Sequence, residues 1–299
     1  MERIRLVAVV GATASGKSRY AVELAKRIGG EIVSCDSMQV YRGMDVGTAK
    51  PSPAEMDGVP HHLISIADPA SPFSVADYVA AAGAAVEDIR SRGNVPVFCG
   101  GTGLYLDRFL SGGVAGEAAS DDDLRRSLFA FAAEHGNEAL HARLEAVDPE
   151  SAAQVHANNV RRVVRALEIY RLTGVPKSEW DRRSRQVDPR YDAHVIGIDR
   201  PREELYARIN ARVDEMLSQG LVAETERLLA AGVFEKNTTA AQAIGYKEIL
   251  PYLAGEISLA DAVESLKTAT RRYAKRQLTW FRAKSYVRWY PAAELPKEV

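Results

Sequence analysis

Short runs of apolar residues alternate with longer helical patterns along most of the chain. Five of these runs are predicted to be buried strands, because each is short, nearly continuous and bounded by polar residues or Gly. The five runs are Leu6–Val10, Glu31–Ser34, His62–Ile66, Val95–Cys99 and His194–Ile198. Helical patterns separate them, as over Tyr20–Arg27 and Val75–Arg92. Strands that alternate with helices predict a doubly wound α/β fold with a parallel sheet and a ligand site at the carboxyl ends of the strands.

The interval between the fourth and fifth predicted strands is too long for a single crossover. It is helical in pattern over Asp122–His135, Glu138–Val147 and Pro149–Thr173. A Gly-rich hinge at 111–116 opens it, and residues 187–190 close it. We therefore predict a core of residues 1–117 and 189–299 that carries an all-helical insertion domain at 118–188. The helices predicted after the last strand are Arg202–Gln219, Ala223–Ala230 and Ser258–Lys284.

The clearest chemical signal follows the first predicted strand. Residues 11–18 read Gly-Ala-Thr-Ala-Ser-Gly-Lys-Ser and fit the pattern G-x-x-x-x-G-K-[ST] between a strand and a helix. Gly11 and Gly16 let successive N–H groups face one anion, Lys17 adds a positive charge, and the Ser18 hydroxyl can ligate a phosphate-bound Mg2+. The other members of the predicted site are Ala12, Thr13, Ala14 and Ser15. The chain is thus predicted to bind a polyphosphate in a P-loop.

Two further polar residues stand where predicted strands end beside this loop. Asp36 follows the second strand, where a carboxylate can hold Mg2+ through water, act as a general base or cap a helix. The fourth strand runs into Gly100, Gly101 and Thr102, so no carboxylate stands where a phosphoryl-transfer enzyme often carries one. We interpret the site as one that holds a polyphosphate without activating water against it.

Composition narrows the class of protein. The 299 residues are 46% hydrophobic and 26% charged, with a net charge of −1, as in an ordinary globular protein. Cys35 and Cys99 are too few for a structural zinc site and are predicted to be buried free thiols. No signal peptide and no membrane-spanning run is expected, so we predict a cytoplasmic location without a membrane partner. The adjacent His61 and His62 are predicted to point to opposite faces and to be structural.

Positive charge is concentrated in two places. In the predicted insertion, Arg161, Arg162 and Arg165 share the polar side of a helix, where they either face solvent or clamp phosphates. Residues 267–288 contain eight Lys or Arg and no acid. On the predicted helix there, one side carries Arg271, Arg272, Lys275, Arg276 and Arg282, whereas Tyr273, Trp280 and Phe281 are predicted core anchors. The basic sides favour a nucleic-acid partner.

Several motifs together resemble one family, the tRNA dimethylallyltransferases. Besides the P-loop they are residues 36–41 (Asp-Ser-Met-Gln-Val-Tyr), 47–51, 60–63, 100–105, 165–168, 243–248 and 275–282. They follow one another in collinear order between residues 5 and 282, which is far more specific than a P-loop alone. The resemblance, which is to the bacterial type, implies a P-loop kinase-like fold. It also implies transfer of a dimethylallyl group from dimethylallyl diphosphate to N6 of adenosine 37 in the tRNA anticodon stem-loop, with Mg2+ as cofactor.

The same resemblance implies roles for individual residues. Asp36 takes the proton from the adenine amine, Thr102 hydrogen-bonds near the bridging oxygen, and Lys17 with Arg212 stabilises the departing diphosphate. The target base is expected to flip out of its stack. The residues implied to contact tRNA are Asp36, Ser37, Met38, Gln39, Thr102, Arg125, Arg161, Arg162, Val163, Val164, Arg165, Ala243, Ile244, Gly245, Tyr246, Lys247 and Glu248. Many relatives carry an acid directly after the sequence His-His-Leu-Ile, whereas this chain has Ser65-Ile66-Ala67-Asp68 there. Asp68 therefore receives no role.

Two other classes of protein remain open on the residues alone. A small-molecule or nucleotide kinase would need ATP, and the missing fourth-strand carboxylate and the basic insertion speak against it. A nucleotide-switched RNA-binding protein would leave the pair Asp36 and Thr102 without a purpose. We expect a monomer.

Overall fold

The computed structural model of this chain describes residues 3–112, 121–183, 188 and 190–298. Its contacts divide the chain into two compact units, residues 1–109 with 189–299, and residues 110–188. The predicted boundary at 117–118 and most of the predicted Gly-rich hinge lie outside the described residues.

The first unit is built on a sheet whose six strands are all parallel, which confirms the predicted α/β class. The strands are β1 (Ile4–Gly11), β2 (Gly30–Ser34), β3 (His61–His62), β4 (Val95–Gly100), β5 (Tyr191–Asp199) and β6 (Val287–Pro291). Their order across the sheet is β3-β2-β4-β1-β5-β6. From β1 the chain passes to β2 on one side of β1, and from β4 it later crosses to β5 on the other side. Such a reversal places the ligand crevice at the carboxyl ends of β1, β2 and β4.

Helices connect these strands and make up the second unit. Before β5 they are α1 (Lys17–Ile28), α2 (Pro53–Met56), α3 (Val75–Ser91), α4 (Gly103–Leu110), α5 (Asp122–His135), α6 (Asn137–Val147), α7 (Pro149–Gln154), α8 (Val160–Thr173) and α9 (Lys177–Arg183). After β5 they are α10 (Arg202–Ser218), α11 (Leu221–Ala230), α12 (Val233–Lys236), α13 (Thr238–Ala241), α14 (Tyr246–Leu253) and α15 (Leu259–Arg282). Within the described ranges, no helix is long and apolar enough to cross a membrane.

Two predicted elements differ from the structure, and one strand is additional to the prediction. The predicted strand at His62–Ile66 stops at His62, because Leu63 and Ser65 have φ values of 63° and 55°, which an extended strand cannot contain. The predicted helix Pro149–Thr173 is interrupted between α7 and α8, where Val155 is extended and the N–H of Asn158 donates to Nδ1 of His156. The strand β6 was not predicted.

The core of the first unit packs helices against the sheet. Val7, Val9 and Val97 of the central strands are fully buried against Leu24 and Ala25 of α1. The P-loop itself joins this interior, since Ala12 and Ala14 pack with apolar side chains of α10 and α15. This packing holds the loop against the core of the first unit.

A buried carboxylate on β2 connects this strand to β3 and to the residues that precede β4. The carboxylate of Glu31 on β2 accepts hydrogen bonds from Arg92 and Asn94, and it pairs with Nε2 of His62 at 2.6 Å. Burial alone raises the pKa of Glu31, but these hydrogen bonds outweigh it and lower the pKa from 4.5 to about 2. His62 therefore acts as a structural partner of the sheet, as predicted.

The second unit packs α5, α6, α7 and α8 around its own apolar core. Leu140 and Leu144 of α6 are fully buried against Leu128 of α5 and against Val163 and Val164 of α8. The amphipathic pattern of the sequence thus explains how these helices pack.

Candidate active site

The P-loop takes a tight anion-binding shape between β1 and α1. Gly11, Ala14 and Gly16 have φ values of 149°, 61° and 94°, so the chain reverses direction within a few residues. The helix α1 begins at Lys17 and points the positive end of its dipole at the space inside the loop. The hydroxyl of Ser15 is buried and has no hydrogen-bond partner among the described residues.

Side chains from distant elements hold this loop in place. Arg208 of α10 donates from Nε to the carbonyl of Ala14 at 2.8 Å, and Arg200 donates from Nε to the carbonyl of Ser15 at 2.8 Å. From α15, Oε1 of Gln277 accepts the N–H of Thr13 at 2.8 Å. Side chains of the protein itself therefore hold the loop in this shape.

The electrostatics of Lys17 suit a bound anion. Burial lowers the pKa of its ammonium group; Cys99 and Asp36 act against that shift, and the charge of Arg212 adds to it. A polyphosphate between Lys17 and Arg212 would restore the balance of charge, because a nearby anion favours the charged form of both groups. Burial likewise lowers the pKa of Arg212. Both cations line the same cavity.

Asp36 lies just beyond β2, on the wall of that cavity. Its Oδ1 accepts the N–H groups of Met38 and Gln39, at 2.9 and 3.4 Å, in a turn rather than at a helix start. Its Oδ2 has no hydrogen-bond partner among the described residues. One oxygen thus fixes the side chain while the other remains available to a substrate.

Thr102 lies next to the turn that carries Asp36, and its predicted hydrogen bond near the bridging oxygen stays a prediction. Its Oγ1 accepts the N–H of Ser37 at 3.1 Å, and its own N–H donates to the carbonyl of Cys35 at 3.1 Å. These bonds form because β2 and β4 are neighbours and end together, and a side chain at Gly100 would meet the Cys35 carbonyl at 2.0 Å. Thr102 therefore positions the loop that carries Asp36, and it is not among the residues that line the cavity.

The cavity itself has a volume of about 290 Å³, which is close to the size of small-ligand sites. It brings together ten of the predicted site residues, which are Thr13, Lys17, Ser18, Asp36, Ser37, Met38, Gln39, Arg212, Ala243 and Ile244. It also contains Tyr273, Arg276 and Gln277 of α15, and His61. Apolar side chains such as Ile32, Val213 and Met216 complete the wall. Cationic side chains suited to a phosphate and an apolar wall thus share one cavity.

The structure corrects the prediction for the motif at 243–248. Tyr246 is fully buried; its hydroxyl donates to Glu224 at 2.7 Å, and its ring would lie 2.4 Å from a side chain at Gly47. Glu248 is buried and accepts the N–H of Gly245, whereas Lys247 is exposed. Tyr246 and Glu248 therefore shape the cavity wall from behind, and their side chains do not face a tRNA.

Within the second unit, the predicted tRNA contacts divide into three groups. Arg161 and Arg162 are exposed, as predicted. Val163 and Val164 are buried in the helical core, so their side chains cannot meet a tRNA. Arg125 and Arg165 both bind the buried carboxylate of Glu168, at 2.9 and 2.7 Å. Their guanidinium groups compensate an internal charge, because a buried carboxylate needs partners.

The basic segment at the C-terminal end is also less uniform than predicted. Lys267 pairs with Asp214 at 2.7 Å, Arg282 with Asp199 at 3.0 Å, and Lys284 with Asp107 at 2.5 Å. Arg271 bonds Asn210, Arg276 lines the cavity, and Arg272 and Lys275 are exposed. Of the predicted aromatic anchors only Phe281 is fully buried; Trp280 is 38% exposed and Tyr273 lines the cavity.

Neither cysteine is suited to nucleophilic chemistry. Both are free thiols, and burial raises the pKa of Cys99 to about 11 and that of Cys35 to about 12. Cys99 and Ser18 both line the cavity. His61 lines the cavity as well, which its prediction as a purely structural residue missed.

Sequence and structure comparisons agree on one family. The model of the IPP transferase family matches residues 39–284, and that of the isopentenyl transferases matches residues 4–65. The chain is 50% identical over 293 residues to a tRNA dimethylallyltransferase of Geobacillus thermodenitrificans, covering 98% of this chain and 92% of that one. The crystal structure of a tRNA isopentenylpyrophosphate transferase from Bacillus halodurans is 48% identical, with a TM-score of 0.71, over 97% of this chain and 90% of that one. A eukaryotic dimethylallyltransferase, whose structures show it acting on tRNA, is 30% identical, with a TM-score of 0.80, over 97% of this chain and 74% of that one.

Proposed function

The chain belongs to the tRNA dimethylallyltransferases, within the IPP transferase family, and from this membership we propose how its residues carry out the reaction. The enzyme transfers a dimethylallyl group to tRNA. We assign dimethylallyl diphosphate as the donor and N6 of adenosine 37 as the acceptor. The observation that carries the assignment is the single cavity in which Lys17, Arg212 and the carboxylate of Asp36 meet.

The P-loop binds the diphosphate of the donor. The N–H groups at the start of α1 and the ammonium group of Lys17 contact its oxygens, and Arg212 lies on the same cavity wall. As the bond between C1 and the bridging oxygen breaks, negative charge grows on the leaving diphosphate. Preorganised cations stabilise that charge more strongly than the ground state, which lowers the barrier.

Asp36 acts as the general base. The amine N6 of adenine forms a bond to C1 of the allyl group, the diphosphate departs, and the proton of N6 passes to Oδ2 of Asp36. The hydrogen bonds to Oδ1 hold the carboxylate during this transfer, because they fix the turn that carries it. Thr102 supports this step through Ser37, whose N–H its Oγ1 accepts.

The residues present also fit a magnesium ion. Ser18 carries an exposed hydroxyl on the cavity wall next to Lys17. No group of three His, Cys, Asp or Glu suited to a metal is found among the described residues. None is needed, since Mg2+ at a P-loop takes a hydroxyl, phosphate oxygens and water. When bound, the ion would neutralise diphosphate charge.

The nucleic-acid partner is tRNA, and we assign its phosphate contacts chiefly to exposed cations. In the second unit these are Arg161 and Arg162; on α15 they are Arg272 and Lys275. The target adenosine must leave its stack to reach Asp36 inside a cavity, so we propose that it flips. We also propose that the chain works as a monomer.

Transfer to tRNA is tested directly by mass spectrometry. The purified protein is incubated with unmodified tRNA, Mg2+ and dimethylallyl diphosphate, and the tRNA is then digested to nucleosides. We expect N6-isopentenyladenosine from tRNA with A37 and none from the same tRNA with G37. ATP in place of the donor should give no product. Absence of the modified nucleoside with the wild-type protein would refute the assignment.

A further inference from the structure

Gln277 stands out because it contacts both the P-loop and the loop that follows β4. It lies on α15, is 4% exposed, and lines the cavity. Its Oε1 accepts the N–H of Thr13 in the P-loop at 2.8 Å, and its Nε2 donates to the carbonyl of Gly101 at 3.1 Å. One carboxamide therefore bridges the loop after β1 and the loop after β4.

The fit around this carboxamide is close. A side chain at Gly101 would meet Nε2 of Gln277 at 1.9 Å, so only Gly at that position leaves room for the bridge. One helical turn earlier on α15, Tyr273 also lines the cavity. Thr102 accepts the N–H of Ser37, next to Asp36. The bonds of Gln277 thus reach Gly101, the neighbour in sequence of Thr102, which contacts the turn that carries Asp36.

A buried amide with both ends bonded is costly to disturb. Removing it leaves the N–H of Thr13 and the carbonyl of Gly101 without their partner. A buried polar group without a partner lowers stability more than the loss of a solvent-exposed hydrogen bond does. The P-loop would then be free to leave the shape that receives the diphosphate, because its other side-chain supports, Arg200 and Arg208, act on carbonyls further along the loop. Preorganisation of the loop would be reduced.

We propose that Gln277 is a positioning residue for donor binding, which sets the shape of the P-loop relative to the loop at 100–102. The kinetic consequence rests on the proposed function, whereas the effect on the loop does not. Gln277 holds the loop through a hydrogen bond, so an apolar side chain of similar length should not replace it.

The test compares Gln277→Met with Gln277→Glu and a control on the same helix. Met keeps the length but forms neither bond, whereas Glu keeps the acceptor for Thr13. The control is Thr279→Ala, since the exposed Thr279 bonds only its own helix at Lys275. Amide hydrogen exchange of the P-loop peptide without substrate reports the loop itself. We expect exchange about tenfold faster in Gln277→Met, a smaller increase in Gln277→Glu, which keeps the acceptor for Thr13 but cannot donate to Gly101, and wild-type exchange in Thr279→Ala.

Kinetics then connect the loop to the reaction. Gln277→Met should raise the KM for dimethylallyl diphosphate by about tenfold and leave the Kd for tRNA within about twofold. Equal exchange in wild type and Gln277→Met, or an unchanged KM, would overturn the inference, as would a weaker Kd for tRNA with an unchanged KM. If Gln277→Met does not fold, Gln277→Asn, one methylene too short to span both loops, should show the same changes. A wild-type protein without transferase activity would refute the proposed function, and hydrogen exchange alone would then decide on Gln277.

Discussion

Replacing Asp36 with Asn isolates the proposed base from the structure around it. In the native protein Oδ1 of Asp36 accepts two backbone N–H groups, while Oδ2 has no partner among the described residues. The Asn side chain keeps an oxygen for both N–H groups and puts an amide in the place of Oδ2. The turn at 36–39 should therefore survive, and only the ability to accept a proton is lost.

The size of the effect follows from the role of a general base. Proton acceptance by a positioned side chain contributes at least about a hundredfold to the rate, or about 2.7 kcal/mol of barrier. We expect Asp36→Asn to lower kcat by about that factor or more. The KM for dimethylallyl diphosphate should stay the same or fall slightly, because the substitution removes a negative charge from the cavity that holds the diphosphate. The Kd for tRNA should change little.

The assay is single-turnover transfer to saturating tRNA, with the thermal unfolding midpoint measured in parallel. The matched control is Asp68→Asn, because Asp68 caps a similar turn through the N–H of Ala70 at 2.8 Å but is exposed outside the cavity. The control should retain wild-type turnover. Turnover of Asp36→Asn within about threefold of wild type would remove Asp36 from the mechanism.

Three further changes test other parts of the reasoning. Lys17→Ala should raise the KM for dimethylallyl diphosphate by about ten- to a hundredfold and also lower kcat, because the diphosphate loses a charged partner in the ground and transition states; calorimetric binding that equals wild type would contradict this. Replacing Arg161 and Arg162 together with Ala should flatten the dependence of log tRNA affinity on log salt by about one unit per lost phosphate contact, and parallel lines would mean that both residues face only solvent. Glu31→Gln should lower the free energy of unfolding by about 2 kcal/mol at neutral pH. Since the folded pKa of Glu31 lies below the unfolded value, the wild-type advantage is present above pH 4.5 and disappears as the pH falls towards about 2; denaturation curves with the same difference at all pH values would contradict it.

The sequence by itself determined the features that depend on neighbouring residues. The apolar runs predicted β1, β2, β4 and β5, because a buried parallel strand needs only a few continuous apolar positions. The Gly, Lys and Ser spacing predicted the P-loop, since its shape is set by local backbone freedom and by the helix that follows. The collinear motifs predicted the family, and the comparisons confirm it.

The tertiary structure decided which polar groups remain available to substrates. Arg165 lies on the side of α8 that the periodicity predicts to be polar. Its guanidinium group nevertheless binds Glu168, together with that of Arg125 from α5. Gln277 lies within the basic segment 267–288. Its side chain accepts the N–H of Thr13, which lies near the opposite end of the chain. Partners that lie many residues apart leave no periodic signal, because their contact depends on how the sheet and helices close together. Periodicity therefore predicts which side of an element is polar, and only the folded chain decides whether that side faces a partner or solvent.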